Sequence, residues 1–410
     1  MKILHTADWY IGKKLHKTEL SADFDLYIDW LCRLIEEKEI DLLIVSGDIF
    51  DLANPSSEAR SQYYRALMKM KKFNCKIIMT GGNHDSPAML DAPKEILREL
   101  DIHIIGGLPE NLDDLIIPVY GKNSKPEIVI AAVPFLRDSD LRSATDGSSY
   151  EDRLEATRKG IKNIFFEAAE ICEVKYPKIP AIGMGHLFAA GIETSESERE
   201  IQIGNQAAFD ASHFGDYFSY IALGHIHKPQ QVSAAVPAFY SGSPLPLSFS
   251  ERKDEKRMLL LDTEKDFTPE SILIPTFRKL QKISGNLQGL REKLELPESN
   301  SALESLIEVE LKEDQYDAFK IYELDELVTN FNRTGYRIVK HRATFANRVK
   351  GASEMFEPAQ QLQDLKPKDV FLELISGHEY EENVRLEIIS AFDELMQDVT
   401  ADETLETSRL

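Results

Sequence analysis

The chain has 410 residues, more than one ordinary core holds, so two domains with a terminal appendage are expected. Its hydrophobic content of 42% is that of a soluble globular protein, and no apolar run reaches the roughly 18 residues of a membrane span. The formal net charge of −22 argues against a free-standing nucleic-acid binder, because phosphate binding rests on Lys and Arg; metal ions or a basic partner must then supply the positive charge.

The first residues, Met1 to Asp8, turn polar too soon for a signal peptide and read as a strand at Lys2–His5. Further strands are expected at Leu42–Val45, Lys76–Thr80, Ile128–Val133, Ala181–Met184 and Tyr220–Leu223. Helical stretches lie between them, at Ala22–Lys38, Ser57–Lys72 and Ala88–Leu100. This alternation over residues 1–275 predicts a layered α/β sandwich, with ligands gathered in loops beyond the carboxyl ends of strands. Pro275 to Leu280 looks like a connector. A smaller α+β unit follows over 276–366, with strands at Leu306–Leu311 and Tyr336–His341 around a helix at Asp317–Thr329; residues 347–364 read as a polar loop. In a third piece, 367–410, Val384, Ile388, Phe392, Leu395 and Val399 recur at helical spacing. That piece reads equally as a solvated acidic helix or as a docking helix for a partner protein. Cys32, Cys75 and Cys172 are few, odd in number and widely spaced, which suits reduced thiols in a cytoplasm.

Five polar motifs lie in order along the α/β part: Asp8-Trp9-Tyr10, Gly47-Asp48, Gly82-Asn83-His84-Asp85, His186, and Gly224-His225-Ile226-His227. Four directly follow strands, and the first begins three residues after its own. Taken singly, each has a plain reading. A lone Gly-Asp is usually a helix-capping loop, and a lone histidine is usually a packed core residue. Together they are a ligand set. The two oxygens of Asp48 can each face one cation. Asn83 offers a hard neutral oxygen, and Asp85 could orient the imidazole of its neighbour His84. His225 and His227, one residue apart in extended backbone, share a side. Carboxylate, amide and imidazole without thiolate suit Mn²⁺ or Fe²⁺ better than structural zinc. Two such divalent ions would clamp a phosphoryl group and activate a water for in-line phosphoester hydrolysis, with His84 helping the leaving oxygen.

These motifs, with Ser46-Gly47-Asp48-Ile49-Phe50-Asp51, Pro134-Phe135-Leu136-Arg137 and Tyr240-Ser241-Gly242-Ser243-Pro244, make the chain resemble the calcineurin-like metallophosphoesterases. More closely it resembles SbcD, a family of bacterial nuclease subunits; the likeness extends more weakly to Pro275–Ile283 and Leu365–Phe371. The resemblance implies a nuclease domain at 1–275, a capping domain at 276–366 and a partner-docking segment at 367–410. It implies a cytoplasmic complex with an SbcC-type ATPase that processes DNA ends and hairpins, usually with Mn²⁺, as a homodimer within a heterotetramer. One ion would take Asp8, Asp48 and His227; the other would take Asp48, Asn83, His186 and His225. His84 would be the catalytic histidine, and DNA would meet bases such as Lys13, Lys14 and Lys17. The departure is Tyr10, where the family pattern has histidine. Either a water replaces the imidazole and leaves a weaker first ion, or the substitution was introduced to impair cleavage, or catalysis is lost and DNA-end binding kept. The first of these is the expectation: a retained fold, a second ion near full occupancy and a weakened first ion. A small-molecule phosphodiesterase and a silent DNA-end scaffold are the alternatives.

Overall fold

The computed structural model describes residues 1–121, 123–141, 150–194, 208–297, 299, 302–346, 371, 388, 389, 391 and 392. The expected polar loop at 347–364, and the docking segment at 367–410 apart from those last five positions, lie outside the described residues. Contacts divide the chain into two compact units. The first comprises Met1–Ile283, Lys293–Val309 and Asn330–His341; the second comprises Ser284–Glu292, Glu310–Thr329 and Arg342–Leu410. Among the described residues no helix is long and apolar enough to cross a membrane.

The first unit is built on two six-stranded sheets. One runs, in spatial order, Glu270–Leu273, Arg257–Asp262, Lys2–Thr6, Leu42–Ser46, Lys76–Thr80, Ile102–Ile105. The other runs Gln230–Val232, Ala238–Tyr240, Tyr220–Gly224, Ala181–His186, Pro126–Ala132, Ile116–Tyr120. In each, the central strands are parallel; the second sheet closes with an antiparallel strand at both edges, and the first closes antiparallel at Arg257–Asp262 and Glu270–Leu273 but parallel at Ile102–Ile105.

Alternation within the strands explains the layers. Successive side chains point to opposite faces, and a strand covered on both faces must be apolar throughout. Ile3, Leu42, Ile44 and Ile78 therefore join Ile128, Ile130, Ile182, Met184 and Ala222 in a core between the sheets. Their neighbours Leu4, Leu43, Val45, Ile77 and Met79 face outward, against Phe24, Tyr27, Leu31, Tyr63 and Leu67 of helices Ser21–Lys38 and Ser57–Lys71. On the far side Val129, Ala131, Ile221 and Leu223 pack against Ile161, Phe165 and Cys172 of helix Tyr150–Lys175. The result is the expected α/β sandwich.

Several elements differ from expectation. The helix expected at Ala88–Leu100 is two short helices, Pro87–Asp91 and Lys94–Arg98, separated at Pro93. Proline has no N–H to donate and its ring crowds the preceding turn. Helix Tyr150–Lys175 and strands Ile102–Ile105, Ile116–Tyr120 and Arg257–Asp262 were not anticipated. Downstream, Leu280–Gly285, Ser305–Glu313 and Tyr336–Phe345 form a three-stranded sheet with Ser305–Glu313 in the middle, and Ala318–Thr329 is helical.

Candidate metal centre

Each polar motif lies at the carboxyl end of a parallel strand. Asp8 and Tyr10 follow Lys2–Thr6, Asp48 follows Leu42–Ser46, and Asn83 to Asp85 follow Lys76–Thr80. His186 is the last residue of Ala181–His186, and His225 and His227 follow Tyr220–Gly224. Asp8, Tyr10, Asp48 and His225 hold φ of 56°, 50°, 48° and 99°. Such left-handed backbone is uncommon for residues with a side chain, and it collects where function over-determines conformation. Here the loops hold one another: Asp8 N donates to Gly47 O at 3.0 Å and Tyr10 N to Asp48 O at 3.1 Å. Glycine is required where they touch. A Cβ on Gly82 would come within 2.1 Å of Asp48 Oδ1, and one on Gly224 within 1.7 Å of Ser46 O. The close approach at Gly82 is therefore to Asp48, another loop of the same chain.

Four donors converge. Ligand atoms of Asp48, His186 and His225 lie within 4.8 Å of one another, all buried. Asn83 Oδ1 stands 2.8 Å from His186 Nε2 and 3.2 Å from His225 Nδ1. His186 Nδ1 lies 2.9 Å from the carbonyl of Ser46, which takes its proton and turns Nε2 toward the cluster. His225 Nε2 is buried with no hydrogen-bond partner. A buried polar atom left this way signals an absent ligand such as an ion. Donor chemistry and the convergence of these atoms fit a divalent cation at this group.

The other expected group is arranged differently. Asp8 is buried and accepts the backbone N–H of His225 on both oxygens, at 3.0 and 3.2 Å. Between Asp48 and His227 stands the Tyr10 hydroxyl, donating to Asp48 Oδ2 at 2.7 Å and lying 3.1 Å from His227 Nε2. Asp8, Asp48 and His227 do not fit a cation with the phenol in that place.

The expected pairing of Asp85 with the His84 ring is also absent. Asp85 takes backbone N–H groups from Ile49, Phe50 and Gly82 at 3.0, 2.9 and 2.8 Å. His84 Nδ1 instead faces the carbonyl of Asp51 at 2.7 Å, and the His84 N–H donates to Asp48 Oδ1 at 2.9 Å. Asp85 ties two loops together; neighbours in sequence point apart.

Sequence reasoning missed Glu251 and Lys256. Glu251 Oε1 lies 3.5 Å from His227 Nδ1, and Lys256 Nζ reaches Glu251 at 2.5 Å, Ser243 Oγ at 2.9 Å and His227 O at 3.2 Å. They sit in Ser250 to Arg257, a charged run that looks like solvated loop. Only Ser243, inside the Tyr240–Pro244 motif, carried a signal. The bases expected to meet DNA are partly engaged: Lys13 pairs with Asp51 at 2.8 Å and Lys14 with Glu19 at 3.0 Å. Arg137 donates to the Asp85 carbonyl at 3.0 Å.

The electrostatics follow from burial. Desolvation lifts the Asp8 carboxyl to about 7 against the pull of His186 and His227. Burial also opposes ionisation of Asp48, but the neighbouring His186 and His84 outweigh it and hold that carboxyl below the ordinary range. Desolvation pushes His225 well below its usual value, leaving a neutral imidazole with a lone pair to offer. Burial, with Asp48 and Asp8 nearby, keeps Tyr10 a neutral phenol.

Comparison with known proteins matches this geometry. The model of the calcineurin-like phosphoesterases matches residues 1–229. A second model, the type 5 capsule protein repressor C-terminal domain, matches residues 276–378. The SbcD component of the nuclease SbcCD from Rhodobacter capsulatus is 34% identical over 75% of this chain and 76% of its own. Its namesake in Escherichia coli K12 is 30% identical over 72% of this chain and 74% of its own. The one in Bacillus subtilis 168 is 28% identical over 93% of this chain and all of its own.

Proposed function

Because this chain belongs to the calcineurin-like phosphoesterases, and within them to the SbcD family, we propose that it is the nuclease component of an SbcCD-type complex. It hydrolyses phosphodiester bonds of DNA with a divalent cation, in company with an SbcC-type ATPase. The observation that carries the reading is the convergence of Asp48, Asn83, His186 and His225 at the carboxyl ends of parallel strands from both sheets.

These four residues would hold the cation. Their hard oxygens and imidazoles favour Mn²⁺, which would polarise the phosphoryl oxygens and supply positive charge to a chain of net −22. The protein's own groups do the rest. Ser46 O accepts the Nδ1 proton of His186 and turns Nε2 toward the cluster, so Nε2 is the nitrogen whose proton the cation would replace. Asp51 O accepts the Nδ1 proton of His84, so Nε2 is the nitrogen that, in the doubly protonated ring, would pass its proton to the departing oxygen. Asp85 holds the Gly82 and Ile49 loops in register, so that Asp48 and Asn83 meet.

The test uses the chain together with its ATPase partner on end-labelled duplex and hairpin DNA. Cleavage is expected with Mn²⁺, to vanish with chelator, and to fall by about 10²-fold or more in His225→Ala. Cleavage that persists with chelator, or that survives the substitution undiminished, would sink the assignment. Light scattering of the same complex tests the proposed assembly of two copies of each protein.

A further inference from the structure

We propose that the Tyr10 hydroxyl occupies the place a second cation would need, so that this site holds a single divalent cation, on Asp48, Asn83, His186 and His225. The inference rests on the metal-centre reading above and deepens it.

Atom bookkeeping leads there. A second cation beside the first would have to draw on the remaining donors, Asp8, Asp48 and His227. Of these, Asp48 Oδ2 already accepts the Tyr10 proton at 2.7 Å. His227 Nε2 lies 3.1 Å from the Tyr10 hydroxyl oxygen. A hydroxyl has one proton, and Asp48 takes it. His227 therefore brings its own proton at Nε2, and a nitrogen that carries a proton has no lone pair for a metal. One hydroxyl thus takes the lone pair of Asp48 Oδ2 that faces His227 and leaves the His227 nitrogen without one to offer. It also fills the space: a cation about 2.0–2.2 Å from carboxylate and imidazole donors would overlap an oxygen lying between them.

Nor can Tyr10 swing aside cheaply. Its ring meets His84 at 4.8 Å and His227 at 5.1 Å, both edge-on. It is 3% exposed, packed with Leu15, Leu247, Leu280 and Leu306. Its backbone is pinned on both sides, by Tyr10 N to Asp48 O and by Lys13 N to Tyr10 O at 3.0 Å. The four-donor group meets the phenol at one atom: Asp48 Oδ2, which accepts the Tyr10 proton, also lies 3.5 Å from His186 Nε2 and keeps a further lone pair on the side of that group.

The experiment counts metal in the full-length chain. After equilibrium dialysis against Mn²⁺, bound metal is measured by mass spectrometry and its coupling by electron paramagnetic resonance. Wild type is expected to hold one Mn²⁺ per chain, with the spectrum of an isolated ion. Tyr10→His, which supplies an imidazole, and Tyr10→Ala, which only vacates the position, are both expected to gain a second, spin-coupled ion. Two coupled ions in the wild type would overturn the proposal. So would a Tyr10→Ala that stays at one ion while Tyr10→His reaches two, because the position would then lack a ligand rather than be filled. No bound ion in any of the three would overturn the metal-centre reading as well, which separates the two failures. The wild-type count stands as a test even if a substituted chain does not fold.

Discussion

A carboxylate that accepts three backbone N–H groups in a dry site cannot give one up without leaving a donor buried and unpaired. Asp85 is in that position, which makes it a loop tie and not a partner of the reacting atoms. Asp85→Asn turns an amide N–H₂ toward backbone donors. It is expected to lower stability by roughly 1–3 kcal/mol and to weaken Mn²⁺ binding, because Asp48 sits on the tied loop. Urea midpoints and a Mn²⁺ titration check both; loss of rate with unchanged stability and metal affinity would return Asp85 to a catalytic role. The Glu251–Lys256 pair behind His227 obeys a harsher rule, since breaking a buried ion pair strands a charge. Lys256→Met alone should cost about 3–5 kcal/mol, and adding Glu251→Gln should recover much of it. If the double substitution is as damaging as the sum of the singles, the pair is not acting as a unit.

At the scale of elements, the alternation that builds the inter-sheet core also buries a histidine in it. His5 follows Ile3 on the inner face of its strand, with Nδ1 3.0 Å from Tyr220 Oη of the opposite sheet. Desolvation lowers its pKa from 6.5 to about 3, so the folded chain leaves it neutral where the unfolded chain protonates it. The unfolded state then binds the extra proton. The stability from this group is full above pH 6.5 and is lost as pH falls toward about 3, by at most about 1.4 kcal/mol per pH unit. Urea midpoints on either side of pH 6.5 should show that slope, and His5→Gln should flatten it; an equal slope in both proteins would place the titration elsewhere. His5 also shows what the sequence made legible. The central strands announce themselves as continuous apolar runs, and the ligand types cluster just after them. The edge strand Ile116–Tyr120 was hidden, because Pro118 breaks the pattern of a central strand without barring an edge. Pro93 was under-read as a helix break. Glu251 and Lys256 were invisible because only tertiary folding carries a charged loop beneath His227. The clash at Tyr10 was visible as a wrong residue, but which atoms it displaces needed coordinates.

For the molecule as a whole, charge decides how DNA is met. With 70 acidic and 48 basic side chains the field of the chain repels phosphate. Many of its bases are already engaged: Lys13 with Asp51, Lys14 with Glu19, Lys69 with Asp29, Lys228 with Glu193 and Arg337 with Glu304. A base held by a carboxylate displaces few counterions when a phosphate arrives. Each phosphate neutralised steepens the dependence of log affinity on log salt by about 0.9. The isolated chain should therefore bind duplex DNA weakly, with a slope no steeper than roughly −3. Its affinity should rise with Mn²⁺ bound at Asp48, Asn83, His186 and His225, and the slope should steepen markedly once the ATPase partner is present. Fluorescence anisotropy across a salt series, with and without Mn²⁺ and partner, measures all three. A steep slope for the chain alone would mean that an unpaired basic surface of its own holds the DNA, and that the cation and the partner are not the main source of positive charge.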